Sequence, residues 1–133
     1  MAKAGNSYTV TLSETHLKWG IVRYSSSRIP VSGEGYIPIP RRAAKNYNIF
    51  NSNYNHTGFG YNKYWVTSKD GFLNHEILLA QGCKEAGDIY AKQFSVEGEL
   101  KRIGQWYNYR NAKPGDRVEV TWISSTEVEI EIL

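Results

Sequence analysis

A chain of 133 residues is long enough for one hydrophobic core and too short for two ordinary domains. With 41% hydrophobic and 22% charged residues it reads as a globular protein and not a disordered one. One cysteine, Cys83, excludes an intrachain disulfide, and one Cys with His16, His56 and His75 has no zinc-cage spacing.

The formal charge of +3 is unevenly placed. Residues 1–113 hold fifteen bases against eight acids, or +7, whereas residues 114–133 hold one base against five acids, or −4. A basic body with an acidic tail end favours a polyanion as partner on one face. The N-terminus MAKAGNSYTV has no apolar signal core, and no run approaches the ~18–20 apolar residues of a membrane span. The expectation is a cytoplasmic protein without a membrane partner.

In chain order, SYTVTLSETHLKWGIV alternates as a strand pair or one bent strand. RYSSSRIPVSGEG reads as an exposed polar loop, and GYIPIP as a short strand containing two prolines. RRAAKNYNIF predicts a brief helix with Ala43 and Ala44 inside. NSNYNHTGFGYNK is a long polar loop. YWVTSKDGFLNHEILLA predicts two strands joined through Asp70-Gly71. QGCKEAG is a connector and DIYAKQFSV a further strand, in which an outward Lys92 would share its face with Tyr90 and Phe94. GELKRIGQWYNYRN predicts a helix with Leu100, Ile103 and Trp106 or Tyr107 inward. A Pro-Gly-Asp turn then leads to a closing hairpin, with Val118, Val120 and Trp122 on one face and a ladder of Glu127, Glu129 and Glu131 outward. The expected fold class is mainly β (α+β), a seven-stranded open antiparallel pseudobarrel with two short helices, over one domain spanning residues 1–133.

No catalytic residues and no cofactor are assigned. There is no Gly-x-Ser-x-Gly, Cys83 sits in no recognisable setting, and Gly58-Phe59-Gly60 lacks the remainder of a nucleotide fingerprint. Asp88 with Glu99 and Lys101 matches the loose Asp…Glu-x-Lys spacing of metal-dependent nucleases. That chemistry needs Glu-x-Lys on a strand, however, and here both residues open a predicted helix, where Glu97 and Glu99 suit the N-terminal dipole.

Binding is better supported. Arg23-Tyr24-Ser25-Ser26-Ser27-Arg28 sets two guanidiniums around three hydroxyls, groups that bridge guanine edges and hold phosphates. A second loop, with Gln81, Lys84 and Glu85, runs into Tyr90, Lys92 and Gln93. Arg41 and Arg42 at a helix start oppose the macrodipole, so a nearby phosphate or plain solvation must account for them.

The order of elements resembles the DNA-binding pseudobarrel family: the B3 domain of plant transcription factors and the effector or target-recognition domains of bacterial restriction endonucleases. Tyr36-Ile37-Pro38-Ile39-Pro40 followed by Ala43-Ala44 is similar to that family's entry into its first helix. Leu100 to Trp106 followed by Lys113-Pro114-Gly115-Asp116-Arg117-Val118 is similar to its second helix and last turn. The resemblance implies that Arg23 to Arg28 lie on an N-arm, and Gln81 to Gly87 with Lys92 and Gln93 on or beside a C-arm, both gripping the major groove. Asn53, Asn55, His56 and Lys63 are then candidates for backbone contacts. The implied function is sequence-specific binding of double-stranded DNA by a non-catalytic domain of a restriction–modification protein, with the nuclease in the same or a partner chain. Its rivals are the Asp88–Glu99–Lys101 nuclease, a protein- or ligand-binding barrel built on Tyr54, Phe59 and Tyr61, and a single-strand binder that stacks bases on aromatics.

Overall fold

The computed structural model describes residues 1–17, 35–51, 57–82 and 89–133. Seven strands form one mixed, unclosed sheet: β1 (Ser7–Thr11), β2 (Ile37–Pro38), β3 (Lys63–Ser68), β4 (Glu76–Gln81), β5 (Gln93–Val96), β6 (Arg117–Ser124) and β7 (Glu127–Ile132). Their spatial order is β1-β6-β7-β3-β4-β5-β2. A single turn, α1 (Glu14–Leu17), and two longer helices, α2 (Arg41–Tyr47) and α3 (Arg102–Tyr109), complete the described elements. No helix among the described residues is long and apolar enough to cross a membrane.

The expected open pseudobarrel is the observed architecture. Neighbouring strands are antiparallel except β3 and β7, which run parallel with Val66 in register with Val128. A parallel pair needs a long crossover, and the chain supplies it by building β4, β5 and α3 before it returns as β6 and β7.

Strict alternation buries one face of each long strand. Tyr64 and Val66 of β3, Leu78 and Ala80 of β4, Val118, Val120 and Trp122 of β6, and Val128 and Ile130 of β7 form the inner face. The helices complete this core with Ala43 and Ala44 from α2 and Ile103, Trp106 and Tyr107 from α3. The outer faces of β6 and β7 carry Glu119, Glu127, Glu129 and Glu131.

Three expectations change. The N-terminal segment forms one strand and then turns into α1, where His16 reaches back to the N-cap position: the Ser13 N–H donates to His16 Nδ1 at 3.0 Å, the side-chain-to-backbone half of a capping box. Leu100 is exposed at 41%, since α3 begins two residues later at Arg102 and the inward face is supplied by Ile103, Trp106 and Tyr107. Phe94 is fully buried while Lys92 is exposed. Their assumed common face fails because regular pairing begins only at Gln93, and the alternation breaks between the Tyr90 bridge and β5.

The prolines of β2 have a structural reason. β2 lies at the sheet edge, paired among the described residues only with β5, and Ile39 N–H donates to Lys92 C=O at 2.9 Å on the laddered side. Pro38, which has no N–H, presents its nitrogen to the unpaired side, where no donor is required. The carbonyls on that side are capped by tyrosines. Tyr107 Oη donates to Tyr36 C=O at 2.7 Å, and Tyr8 Oη donates to Pro38 C=O at 3.1 Å. Tyr8 belongs to β1, at the other edge of the sheet, so its hydroxyl spans the gap the open barrel leaves.

Candidate nucleic-acid interface

Of the residues expected to bind DNA, Arg23, Tyr24, Ser25, Ser26, Ser27, Arg28, Asn53, Asn55, His56, Lys84 and Glu85 lie outside the described residues, as do Tyr54 and Asp88. Arg41, Arg42, Lys63, Gln81, Tyr90, Lys92 and Gln93 are described, together with the two roots from which the proposed arms leave the sheet.

The first root joins Leu17 to Gly35. Tyr36 N–H donates to His16 C=O at 3.2 Å, and the two rings meet edge-on with centroids 5.2 Å apart. Gly35 lies against α3 so closely that a Cβ there would come within 3.0 Å of Gly104 Cα and 3.2 Å of His16 C=O. Burial lowers the His16 imidazole below its ordinary pKa, which keeps its Nδ1 an acceptor for Ser13.

The second root joins Gly82 to Ile89. Lys92 N–H donates to Gln81 C=O at 2.8 Å, Asn51 N–H to Ile89 C=O at 2.7 Å and Ala91 N–H to Ile49 C=O at 3.0 Å. A Cβ on Gly82 would approach Asn51 Nδ2 and Tyr90 C=O at 3.2 Å. Segment 49–51 thus acts as an extra short strand that grips the end of the connector. The two roots feed one antiparallel pair, the first entering β2 and the second entering β5.

A row of rings supports the second root. Tyr61, Phe50 and Tyr90 stack in succession, with centroid separations of 6.4 and 5.9 Å and interplanar angles of 25° and 23°. The Arg41 guanidinium lies 6.0 Å from the Tyr90 centroid, within cation–π range. Arg41, Arg42 and Lys45 of α2 are exposed, and α2 has no acid in its first turn. Lys92, also exposed, is joined to the strand leading into α2 through its carbonyl bond to Ile39. Arg41 thus stands over one end of the aromatic row, and the backbone of Lys92 is held two residues before Arg41.

Gln81 and Gln93 are register partners on the outer face, where Ser95 Oγ donates to Gln81 Oε1 at 3.5 Å. Lys63 stands on that same face, but its ammonium is engaged by Glu97 at 3.0 Å, so it does not join Arg41 and Lys92. That pair also gives Glu97 a role other than helix capping. Lys45, Phe50 and Tyr61 were not among the residues expected to bind DNA. Lys45 was legible in principle, because it follows Arg41 by four residues and Arg42 by three, which places it on their side of a helix.

Glu99 lies in the turn before α3, where its N–H donates to Val96 C=O at 3.1 Å, and Lys101 is the residue preceding the helix. Among the described residues no three His, Cys, Asp or Glu side chains are grouped to hold a metal ion.

No family model matches the chain, and no curated protein does. Among solved structures, the N-terminal domain of Helicobacter pylori LlaJI.R1 is similar with a TM-score of 0.53 at 12% sequence identity, over 96% of this chain and 87% of that one. At such identity the likeness is one of fold alone.

Proposed function

We propose that this chain is a B3-like, sequence-specific double-stranded DNA-binding module, the recognition or effector domain of a restriction–modification protein acting in the cytoplasm. The carrying observation is Arg41 over the Tyr90 ring, with Arg42 and Lys45 exposed on the same helix and the exposed Lys92 tied by its carbonyl to Ile39, just before that helix. Surface cations release counterions from phosphates, while base edges are read by side chains on projecting segments. Arg23 to Arg28 and Lys84 are the readers in this proposal, and the cluster around Arg41 and Lys92 anchors the backbone. The fold shared with the N-terminal domain of Helicobacter pylori LlaJI.R1 is compatible with this reading. Cleavage belongs to a nuclease domain in the same or a partner chain.

Selection from a random duplex library, followed by fluorescence anisotropy on the enriched site, tests this. Arg28→Ala is expected to weaken the cognate duplex by about 1–3 kcal/mol and to relax one position. Lys92→Ala or Arg42→Ala is expected to weaken all duplexes alike and reduce the salt slope by about 1 each. No enrichment, or equal preference for single strands, would sink the proposal. Magnesium-dependent plasmid cleavage abolished by Glu99→Ala would overturn the non-catalytic assignment.

A further inference from the structure

The outer face of the sheet breaks its own rule over β3 and β4. On β6 and β7 the outward positions are mainly charged or hydroxylated. On β3 and β4 the outward residues include Trp65, Ile77 and Leu79, with Trp65 in register with Ile77. None of these is needed for the core, which lies on the opposite face.

Trp65 is further built into an aromatic stack. Phe59 lies 4.9 Å from its centroid at an interplanar angle of 18°, and His75 lies 4.3 Å away at 6°. His75 reaches this place through a left-handed backbone, φ 54°, which a non-glycine residue adopts at some cost. His75 is exposed and Phe59 is exposed at 38%. Beside Phe59, Gly60 lies against the side chain of the exposed Met1. Contiguous apolar surface rimmed by polar groups marks an interaction site more often than scattered exposed side chains do.

The rim identifies the occupant. Glu127 is in register with Trp65 and Glu129 with Thr67 on the parallel strand. Glu131 is directly opposite Glu119, a like-charge pair across antiparallel strands. Lys69 is the one cation within ion-pair distance of this ladder among the described residues, at 3.9 Å from Glu129 and 3.5 Å from Glu131. A polyanion is repelled here. A guanidinium or ammonium on an apolar segment can pack over the exposed rings and pair with the glutamates at once.

We infer that the Phe59–Trp65–His75 face with its Glu127–Glu129 rim is a docking surface for a basic, apolar-bearing segment of a partner protein. This surface is distinct from the cation cluster at Arg41 and Lys92 and does not depend on that cluster binding DNA.

The test uses a fluorescein-labelled ten-residue peptide of alternating arginine and leucine, with glutamate replacing arginine in the control. Amide chemical shifts of the full chain are expected to move on β3, β4 and β7 with the arginine peptide and not with the control. Trp65→Ala, and separately the double variant Glu127→Gln with Glu129→Gln, should each weaken binding at least tenfold while duplex affinity is unchanged. The double variant alters only surface carboxylates, so it decides the matter even if Trp65→Ala folds poorly. Equal binding by the double variant, or shifts confined to α2 and Tyr90, overturns the inference. Self-association of the chain that disappears with Trp65→Ala assigns the face to a second copy and overturns the basic partner.

Discussion

Asp70 Oδ2 accepts the indole N–H of the fully buried Trp106 at 2.8 Å, which ties the β3–β4 connection to α3. The same carboxylate accepts Ser68 Oγ–H at 2.6 Å and Phe72 N–H at 2.9 Å, and Arg110 Nε lies 3.6 Å away. Burial alone would raise the Asp70 carboxyl; these hydrogen bonds and the Arg110 charge outweigh it and hold the carboxyl below its ordinary value. Asp70→Ala should cost about 1–3 kcal/mol, because it leaves the Trp106 donor buried and unpaired. Since the folded pKa is the lower one, the carboxylate stabilises the fold above about pH 4, and that contribution fades on acidification. Urea titrations between pH 3 and 7 should show this acid limb, and Asp70→Asn should flatten it.

His16 behaves in the opposite chemical sense with the same outcome in acid. Its folded pKa is lowered by burial, so folding favours the neutral ring and stability is complete above about pH 6.5 and falls as pH drops below it. Protonation also removes the Nδ1 acceptor of Ser13. The protection factor of the Ser13 amide should therefore be lower at pH 5.5 than at pH 7.5. His16→Gln, which retains an acceptor three residues after the cap, should abolish the difference.

Burial raises the phenol pKa of Tyr8, Tyr64 and Tyr107, with Tyr107 and Tyr64 adding to the shift at Tyr8 and Tyr36 adding to it at Tyr107. Raised folded values mean that their contribution is full below about pH 10 and is lost as pH rises beyond it. Tyrosinate absorbance at high pH should show a late cooperative step coincident with loss of the circular-dichroism signal. Tyr107→Phe, which strands the Tyr36 carbonyl, should bring that step to lower pH and cost about 1–3 kcal/mol.

Gly35→Ala should destabilise by about 1–3 kcal/mol, since the new methyl meets backbone atoms of α3 and not a side chain able to swing aside. Thermal denaturation measures this directly.

Much of the architecture was legible because alternation is a local signal. Val118, Val120 and Trp122 against Arg117, Glu119 and Thr121 could form only a half-buried strand. Ala43 and Ala44 likewise marked the inner side of α2. What alternation cannot express is partnership. Nothing in the local pattern of β3 says that its second neighbour is the last strand of the chain, in parallel. Lys63 looked free because Glu97, its partner, is 34 residues away in sequence. The same limit hid the aromatic row, in which Phe50, Tyr61 and Tyr90 come from three separate segments. Lys92 and Phe94 were misplaced for a different reason: an irregular step between a bridge and a strand shifts the period by one residue.

The strand order carries a consequence for how the molecule is made. The hairpins β3–β4 and β6–β7 and the β4–β5 pair join neighbours in the chain and can form early. Among the described residues β1 pairs only with β6, so Tyr8 finds Val120 only after a loop of more than a hundred residues has closed. The Tyr8 hydroxyl that seals the gap to Pro38 therefore engages late. Among the described residues β1 has no partner strand until β6 exists, so the sheet gains its last edge only when the two ends of the chain come together.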